Sequence, residues 1–276
     1  MKCKYIEIIG VSGSGKSYTE NEVRNSIKSE IKIYNRREII LKFYNKILNL
    51  GFKEKLILIY FNLINILKNN KKINQLSLKE NKNLQKKTQF NKKIKSNITN
   101  YFRIRYFEIC KKFYVLFCIK NVEFKKEVNK LFKNLDRMDK KLVQFWFYEL
   151  CAAYYIFDKV KPNNCIFLND EGFVTKSNLF FYTKNDYKRS TINNYLRTIP
   201  YPDLCIHLKK REKEIHKVHE QRKKFNIEMY LDKNFLKKIY KIDKYIIKLL
   251  KNKTHLIELI NDHKITKKII QLITKL

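Results

Sequence analysis

Residues 10–17 read GVSGSGKS, a run that fits the phosphate-binding pattern G-x-x-x-x-G-K-[ST]. An apolar, strand-like run from Tyr5 to Ile9 precedes it, and a helix is predicted from Lys16 to about Lys28. Three of the five glycines in the chain lie in these eight residues. Glycines let consecutive backbone N–H groups turn inward toward one anion. The order of strand, glycine-rich turn and helix therefore predicts a loop that wraps the phosphates of a nucleotide.

The chemistry of such a loop assigns roles to its residues. The Lys16 ammonium is expected to reach the β- and γ-phosphates of ATP, and the Ser17 hydroxyl is expected to ligate Mg²⁺. The positive end of the helix that starts at Lys16 faces the same anion. An ordinary strand-to-helix turn is the alternative interpretation. The residues predicted to bind the nucleotide are Gly10, Ser12, Gly13, Ser14, Gly15, Lys16, Ser17 and Tyr18.

Further strands are predicted where short apolar runs lie between helical segments. They are Ile31 to Tyr34, Cys165 to Leu168, Leu204 to Leu208 and Leu256 to Ile260. Strands that alternate with helices indicate a parallel sheet covered on both faces. The predicted fold is therefore α/β, a P-loop NTPase fold with a five-stranded parallel sheet flanked by helices.

The middle of the chain is predicted to be a helical, Lys-rich insertion at residues 41–135. Within it, residues 68–97 carry ten Lys and one Glu with few large apolar side chains, which predicts a flexible loop. No linker is clear enough to divide the chain, so residues 1–276 are predicted to form a single domain.

Two carboxylates follow the third predicted strand, in the run NDEG at residues 169–172. Because the carboxyl ends of parallel strands share one edge of a sheet, Asp170 is expected to lie beside the loop that holds Lys16. There it could hold Mg²⁺ together with Ser17, and Asp170 or Glu171 could act on a nucleophile. A surface turn is the alternative.

Arginines that could stabilise a transferring phosphoryl group follow two of the strands. Arg222 lies on the helix after the fourth strand, about three turns beyond Arg211. Arg36 and Arg37 follow the second strand, where they could bind an acceptor substrate. For each of these side chains, a solvated surface charge is the competing interpretation.

The chain has a formal net charge of +35, mostly from Lys, with only ten Arg. Lys, Asn and Ile are all abundant here, and all three are encoded by AT-rich codons. The excess of Lys is therefore interpreted mainly as an effect of genome composition on solvent-exposed faces. Attraction to nucleic acid or to an anionic membrane surface is the functional alternative, although no nucleic-acid-binding motif accompanies the charge. The six scattered cysteines are predicted to be free thiols. No signal peptide or membrane span is predicted, so a cytoplasmic location is expected.

With these residues, the chain resembles the P-loop kinases, most closely their thymidylate-kinase-like branch. The resemblance rests on the loop at residues 10–17, the FLNDEG strand end at residues 167–172, the PDLCIHL run at residues 202–208, and the last strand with Asn261-Asp262 after it. It covers roughly residues 1–40 and 140–276. It departs from that branch at Tyr18, at Lys209, and in the absence of an Asp-Arg pair at residues 170–171.

The resemblance implies a P-loop kinase-like domain with a helical lid, in which Arg222 falls where a lid arginine is expected. It implies ATP-dependent phosphorylation of a nucleotide, a sugar or a similar small acceptor, with ATP and Mg²⁺ as cofactors. Lys16, Asp170, Glu171 and Arg222 are then the expected catalytic residues. A P-loop ATPase or nucleotide-dependent switch is one alternative, and a polyanion-binding protein with a structural ATP site is another. Neither the acceptor nor the oligomeric state follows from the sequence.

Overall fold

A computed structural model describes residues 3–27, 31–49, 51, 52, 54–60, 88–135, 140–182, 189–224, 233–262 and 264–275. Its centre is a five-stranded sheet with the order β2-β3-β1-β4-β5, in which every pair of neighbouring strands is parallel. The strands are β1 (Lys4–Ile9), β2 (Lys32–Tyr34), β3 (Cys165–Asn169), β4 (Leu204–Lys209) and β5 (His255–Ile260). This confirms the predicted α/β class and the five-stranded parallel sheet.

The central strands are buried because their sequences are nearly continuous apolar runs, as strands covered on both faces require. Ile6, Ile8, Ile166 and Ile206 are all fully buried in one core cluster. In the register of the sheet, Ile6 lies opposite both Leu168 and Leu204. The strand order is consistent with a Rossmann-like or a P-loop fold.

Helices connect the strands. They are α1 (Lys16–Ser26), α2 (Arg36–Phe43), α3 (residues 54–60), α4 (Thr88–Lys120), α5 (Val122–Asn134), α6 (Lys140–Val160), α7 (Phe173–Lys176), α8 (Arg189–Thr198), α9 (Glu212–Lys224), α10 (Lys233–Leu250) and α11 (Ile265–Thr274). Short 3₁₀ segments occupy Tyr44–Lys46 and Ser177–Tyr182. Because all five strands are parallel, the loops that follow β1, β3, β4 and β5 emerge at one edge of the sheet.

The chain divides into two compact units. The first comprises residues 1–36, 120–143 and 161–276 and contains the whole sheet. The second comprises residues 37–119 and 144–160, and its described elements are helical. Aromatic side chains pack inside this second unit. The rings of Phe107 and Phe145 are stacked with their centres 5.6 Å apart, and those of Tyr114 and Tyr148 are tilted with their centres 4.5 Å apart.

The predicted insertion at residues 41–135 is helical in its described part, through α3, α4 and α5. The predicted loop at residues 68–97 lies outside the described residues as far as residue 87, and its last residues, 88–97, belong to α4. The six cysteines are free thiols, as predicted, and five of them are buried. Among the helices of the described chain, none is both long enough and apolar enough to cross a bilayer.

Candidate functional site

Residues 10–17 fold into a tight loop between β1 and α1. Gly10, Gly13 and Gly15 have φ angles of 140°, 88° and 97°, a region that side chains with a Cβ rarely enter. Space excludes a side chain as well, because a Cβ on Gly10 would lie 2.8 Å from the Leu208 carbonyl oxygen. A Cβ on Gly15 would lie 2.5 Å from the Asn261 amide nitrogen. The glycine concentration seen in the sequence therefore has a backbone reason at this loop.

The Lys16 side chain folds back over this loop. Its ammonium donates to the carbonyl oxygens of Gly10, at 2.9 Å, and Val11, at 3.2 Å. Burial lowers the pKa of Lys16, and the negative charges of Glu171 and Asp170 act in the opposite direction. The cation therefore lies at the centre of the loop, where a phosphate would need it.

The loop and the start of α1 leave polar groups available inside the loop. Gly15 is the N-cap residue of α1, in a left-handed conformation, and makes no side-chain capping bond to the first turn. The first N–H groups of a helix have no intrahelical acceptor and favour an anion. The Ser14 hydroxyl is fully buried and has no hydrogen-bond partner among the described residues. A buried hydroxyl without a partner normally destabilises the folded protein by about 1–3 kcal/mol. Its presence inside the loop therefore fits a site where a polar ligand supplies the missing hydrogen bond.

The first acidic residue after β3 meets the loop. β3 lies beside β1 in the sheet, with Glu7 opposite Asn169, so the two strands end at the same edge. The Ser17 hydroxyl donates a hydrogen bond to the Asp170 carboxylate, which is 153 residues away in sequence. The structure thus brings together the two predicted Mg²⁺ ligands, and both present oxygen atoms. The described residues contain no group of three acidic, His or Cys side chains that could hold a metal by themselves.

Glu171 turns toward a buried lysine. The Lys176 ammonium, on a side chain only 4% exposed, donates to Glu171 Oε2 at 2.8 Å. The charge of Lys176, followed by those of Arg36 and Lys16, lowers the pKa of Glu171 to about 2. Burial lowers the pKa of Lys176, and Glu171 opposes that shift. Glu171 is therefore a charged carboxylate held in a fixed direction at neutral pH.

The site contains a third carboxyl group that the sequence analysis did not identify. Glu20 lies on the second turn of α1 and is 8% exposed. Burial, the negative charge of Asp170 and a hydrogen bond with it raise the pKa of Glu20 well above 4.5, while Arg24 and Arg36 act against that shift. The sequence could have indicated Glu20 by its spacing from Ser17, because residues three apart on a helix lie on the same face.

A fourth carboxyl group, that of Glu7, positions the acidic strand end. It is fully buried in β1 and accepts hydrogen bonds from the backbone N–H groups of Val174, at 3.1 Å, and Thr175, at 2.7 Å. The Tyr5 hydroxyl donates to it at 2.9 Å. Burial raises the pKa of Glu7, and these hydrogen bonds oppose the shift. The signal in the sequence was a single acidic residue in the middle of an apolar strand, KYIEII.

Gly172 is needed for this contact. A Cβ on it would overlap Glu7 Oε2 and the Tyr5 hydroxyl. From the sequence, a glycine directly after Asp170 and Glu171 is consistent with a close backbone approach to a ligand. Its structural role is the close approach of the turn after Asp170 and Glu171 to the buried carboxylate of β1.

Residues from the far end of the chain contact the predicted phosphate loop, residues 10–17, from outside. His219 of α9 is 2% exposed, and its Nε2 lies 3.1 Å from the Ser12 carbonyl oxygen. The Asn261 amide donates to the Ser14 carbonyl oxygen. Sequence reasoning missed both contacts, because nothing in the local pattern marks His219, and Asn261 entered only as part of the run after the last strand, with no role of its own.

The remaining predicted residues occupy different environments. Tyr18 is on the first turn of α1 and is 69% exposed. Arg36 lies close enough to the acidic strand end to affect the pKa values of Glu171 and Glu20. Arg37 belongs to the second unit, where its Nε donates to the buried Glu149 carboxylate at 3.0 Å. Its predicted role with an acceptor stays a prediction.

Arg222 belongs to α9, three residues after His219, as the sequence places it. Its side chain lies outside the described part of the structure, so its role as a lid arginine stays a prediction.

Comparison with known proteins adds no family assignment, because the chain matches neither a protein-family model nor a curated protein. What this site can do follows from the geometry of the loop at residues 10–17 and of the acidic strand end beside it.

Proposed function

We propose that this protein is an ATP-dependent phosphotransferase that moves the γ-phosphate of ATP to a small acceptor. The observation that carries the proposal is the meeting of Ser17 with Asp170 beside the Lys16 ammonium. A hydroxyl, a carboxylate and an ammonium from two distant chain segments converge at one sheet edge, which is the arrangement that nucleoside triphosphate chemistry requires. A P-loop kinase fold is the finer assignment that this site supports.

The loop residues fit a triphosphate and its metal. The backbone N–H groups between Gly10 and Ser17, with the Lys16 ammonium, would bind the phosphates. Oxygen atoms of Ser17 and Asp170 would hold Mg²⁺, which in proteins uses one or two carboxylates together with substrate phosphates rather than a cage of protein ligands. When bound, the ion neutralises charge on the phosphates and orients them.

Glu171 is suited to orienting an acceptor hydroxyl. A carboxylate with a pKa of about 2 remains charged and accepts hydrogen bonds, but it takes up protons poorly at neutral pH. Phosphoryl transfer has a loose transition state and depends mainly on positioning and on charge stabilisation. Glu171 would therefore position the nucleophile, and Arg36 or Arg222 would stabilise charge on the transferring group.

An ATPase or nucleotide-dependent switch is the second possible function, because an Asp-Glu pair at a strand end can also bind Mg²⁺ and activate water. The ion pair between Glu171 and Lys176 argues against it, since a water-activating glutamate must accept a proton. The third possible function, binding of a polyanion, is supported only by the net charge of +35, most of which lies outside this site.

The test combines a substitution with an acceptor screen. Lys16→Ala should weaken ATP binding about tenfold to a hundredfold in calorimetry, because a hydrogen bond to a charged group contributes about 1.5–3 kcal/mol. Lys267→Ala, at an exposed position of α11, is the matched control and should bind ATP like the wild type. In the wild type, ADP formation should be slow alone and rise at least about tenfold with the correct nucleotide or sugar acceptor.

Two results would contradict the proposal. Unchanged ATP affinity in Lys16→Ala would show that residues 10–17 do not bind the phosphates of ATP. Rapid ADP formation that no acceptor in the panel increases would identify an ATPase instead.

A further inference from the structure

A second concave surface lies at the opposite edge of the sheet from the phosphate loop. Its lining includes Tyr201, three residues before β4, and Asn252 and Lys253, just before β5. In a parallel sheet these positions mark the amino ends of the strands, whereas the phosphate loop follows the carboxyl end of β1. The cavity has a volume of about 770 Å³ and lies between α8 and α10.

Cations make up half of this lining. We call the cavity the basic groove, and its lining residues are Arg189, Asn193, Leu196, Arg197, Tyr201, Lys241, Lys244, Tyr245, Lys248, Leu249, Asn252 and Lys253. Six of these twelve residues are Lys or Arg, compared with 61 of 276 in the whole chain, so the groove exceeds even the strongly basic average. None of the twelve is acidic.

Helical spacing gathers these charges on facing helix surfaces. On α10, Lys241, Lys244 and Lys248 are separated by three and four residues, so they project from one face. On α8, Arg189 and Arg197 are separated by eight residues and also share a face. Like charges at these spacings repel one another and destabilise a helix unless an anion neutralises them. No groove cation forms a salt bridge with any described residue.

The groove also offers surface suited to the non-ionic part of a ligand. The Arg189 guanidinium lies over the Tyr245 ring, 5.4 Å from its centre, which fixes a planar cation at the rim. The Tyr201 hydroxyl donates to the Leu196 carbonyl oxygen, and this bond ties the Tyr201 side chain to α8. Leu196 and Leu249 add apolar lining. Such a mixture of apolar walls and a few placed polar groups is typical of small-molecule sites.

We propose that the basic groove is a second ligand site, which binds a compact phosphorylated small molecule. Its volume lies within the range of about 300–1,000 Å³ that small-molecule sites occupy. Single-stranded nucleic acid needs a track on which successive bases stack, and here Arg189 already covers one face of the Tyr245 ring. A membrane surface engages an exposed face rather than a concave cavity. None of the groove residues belongs to the phosphate loop or to its acidic partners, so this proposal stands apart from the proposed kinase function.

The experiment uses inorganic tripolyphosphate as the probe and the full-length Lys16→Ala protein as the background, so that the phosphate loop contributes little. Lys244→Ala/Lys248→Ala removes two groove cations. Lys237→Ala/Lys238→Ala, at exposed positions nearer the start of the same helix, removes the same charge outside the groove. All four lysines are exposed, so circular dichroism and melting temperature should show intact folding in both variants.

Calorimetry should show tripolyphosphate binding weakened about tenfold or more by the groove pair and less than about twofold by the control pair. Equal affinities in the two pairs would overturn the proposal. A single-stranded DNA of 20 nucleotides, or vesicles rich in phosphatidylserine, provides the other comparison. Binding to either that is far tighter than to tripolyphosphate, and lost only in the groove pair, would replace the small-molecule ligand with that partner.

Discussion

Replacing Gly172 with alanine tests how the acidic strand end is held. Gly172 has φ −78° and ψ −161°, an extended conformation that alanine adopts without strain. Any effect of Gly172→Ala must therefore come from the added methyl group. That methyl group would overlap Glu7 Oε2 and the Tyr5 hydroxyl.

The magnitude follows from how firmly Glu7 is fixed. Its carboxylate accepts hydrogen bonds from the Val174 and Thr175 N–H groups and from the Tyr5 hydroxyl, and its side chain is fully buried. Moving it away from a methyl group breaks at least one of these bonds. Overpacking a buried site costs about 1–3 kcal/mol, and a hydrogen bond left unmade there adds about 1–3 kcal/mol. We expect Gly172→Ala to lower the free energy of unfolding by roughly 2–6 kcal/mol.

Urea denaturation measures this difference, with Gly51→Ala as the control. A Cβ on Gly51 would meet Glu54 Oε2 at 3.8 Å, an ordinary contact, so we expect a change of no more than about 1 kcal/mol. In a double-mutant cycle, Gly172→Ala should destabilise a Glu7→Ala protein less than it destabilises the wild type, because one of the two groups that the methyl group overlaps is then gone and only the Tyr5 hydroxyl remains. If Gly172→Ala is within about 0.5 kcal/mol of the wild type, the close approach to Glu7 described here is wrong.

Two further predictions concern the carboxyl groups. Asp170→Asn should lower acceptor-dependent turnover at least about a hundredfold, while ATP affinity in calorimetry falls much less. The reason is that an amide binds Mg²⁺ poorly but leaves the phosphate contacts of Lys16 intact. Full activity of this variant would show that Asp170 has no role in the reaction and only begins a surface turn. Burial raises the pKa of Glu7 above 4.5 in the folded protein, which therefore binds a proton at this carboxyl group more tightly than the unfolded chain does. The stability that this proton contributes is lost as the pH rises from about 4.5 through the folded-state pKa. Glu7→Gln, which has no such proton, should show a smaller decrease of melting temperature between about pH 4.5 and pH 7, and an unchanged pH slope would contradict this assignment.

The strands could be predicted almost to the residue because buried parallel strands are continuous apolar runs. The run starting at Cys165 was predicted to end at Leu168, and the strand continues to Asn169 because Asn169 pairs with Glu7 of β1. The phosphate loop could also be predicted from the sequence. Its backbone has positive φ at three positions, and such positions favour glycine, so the glycines mark the loop.

The partners that hold the site could not be predicted in the same way. His219 contacts a carbonyl group of the phosphate loop 207 residues earlier in the chain, and Asn261 contacts one 247 residues earlier. Both residues lie in segments whose local pattern is explained by an exposed helix or a turn. Such contacts depend on the strand order, which places the loops after β1, β4 and β5 at one edge. Periodicity gives the elements of the sheet but not this order, so the positioning residues became visible only in three dimensions.

For the phosphotransferase proposed above, the environments of the two adjacent carboxylates are an argument for transfer to a bound hydroxyl rather than hydrolysis. Asp170 accepts a hydrogen bond from Ser17 and lies next to the carboxyl group of Glu20, whose pKa is raised, so its surroundings keep it at the loop. Glu171 instead points to the buried ammonium of Lys176, and that charge lowers its pKa to about 2. A hydrolase would need this second carboxylate to take a proton from water, which so acidic a group does poorly. A transferase needs it only to hold an acceptor in line, and a charged, fixed carboxylate does that well.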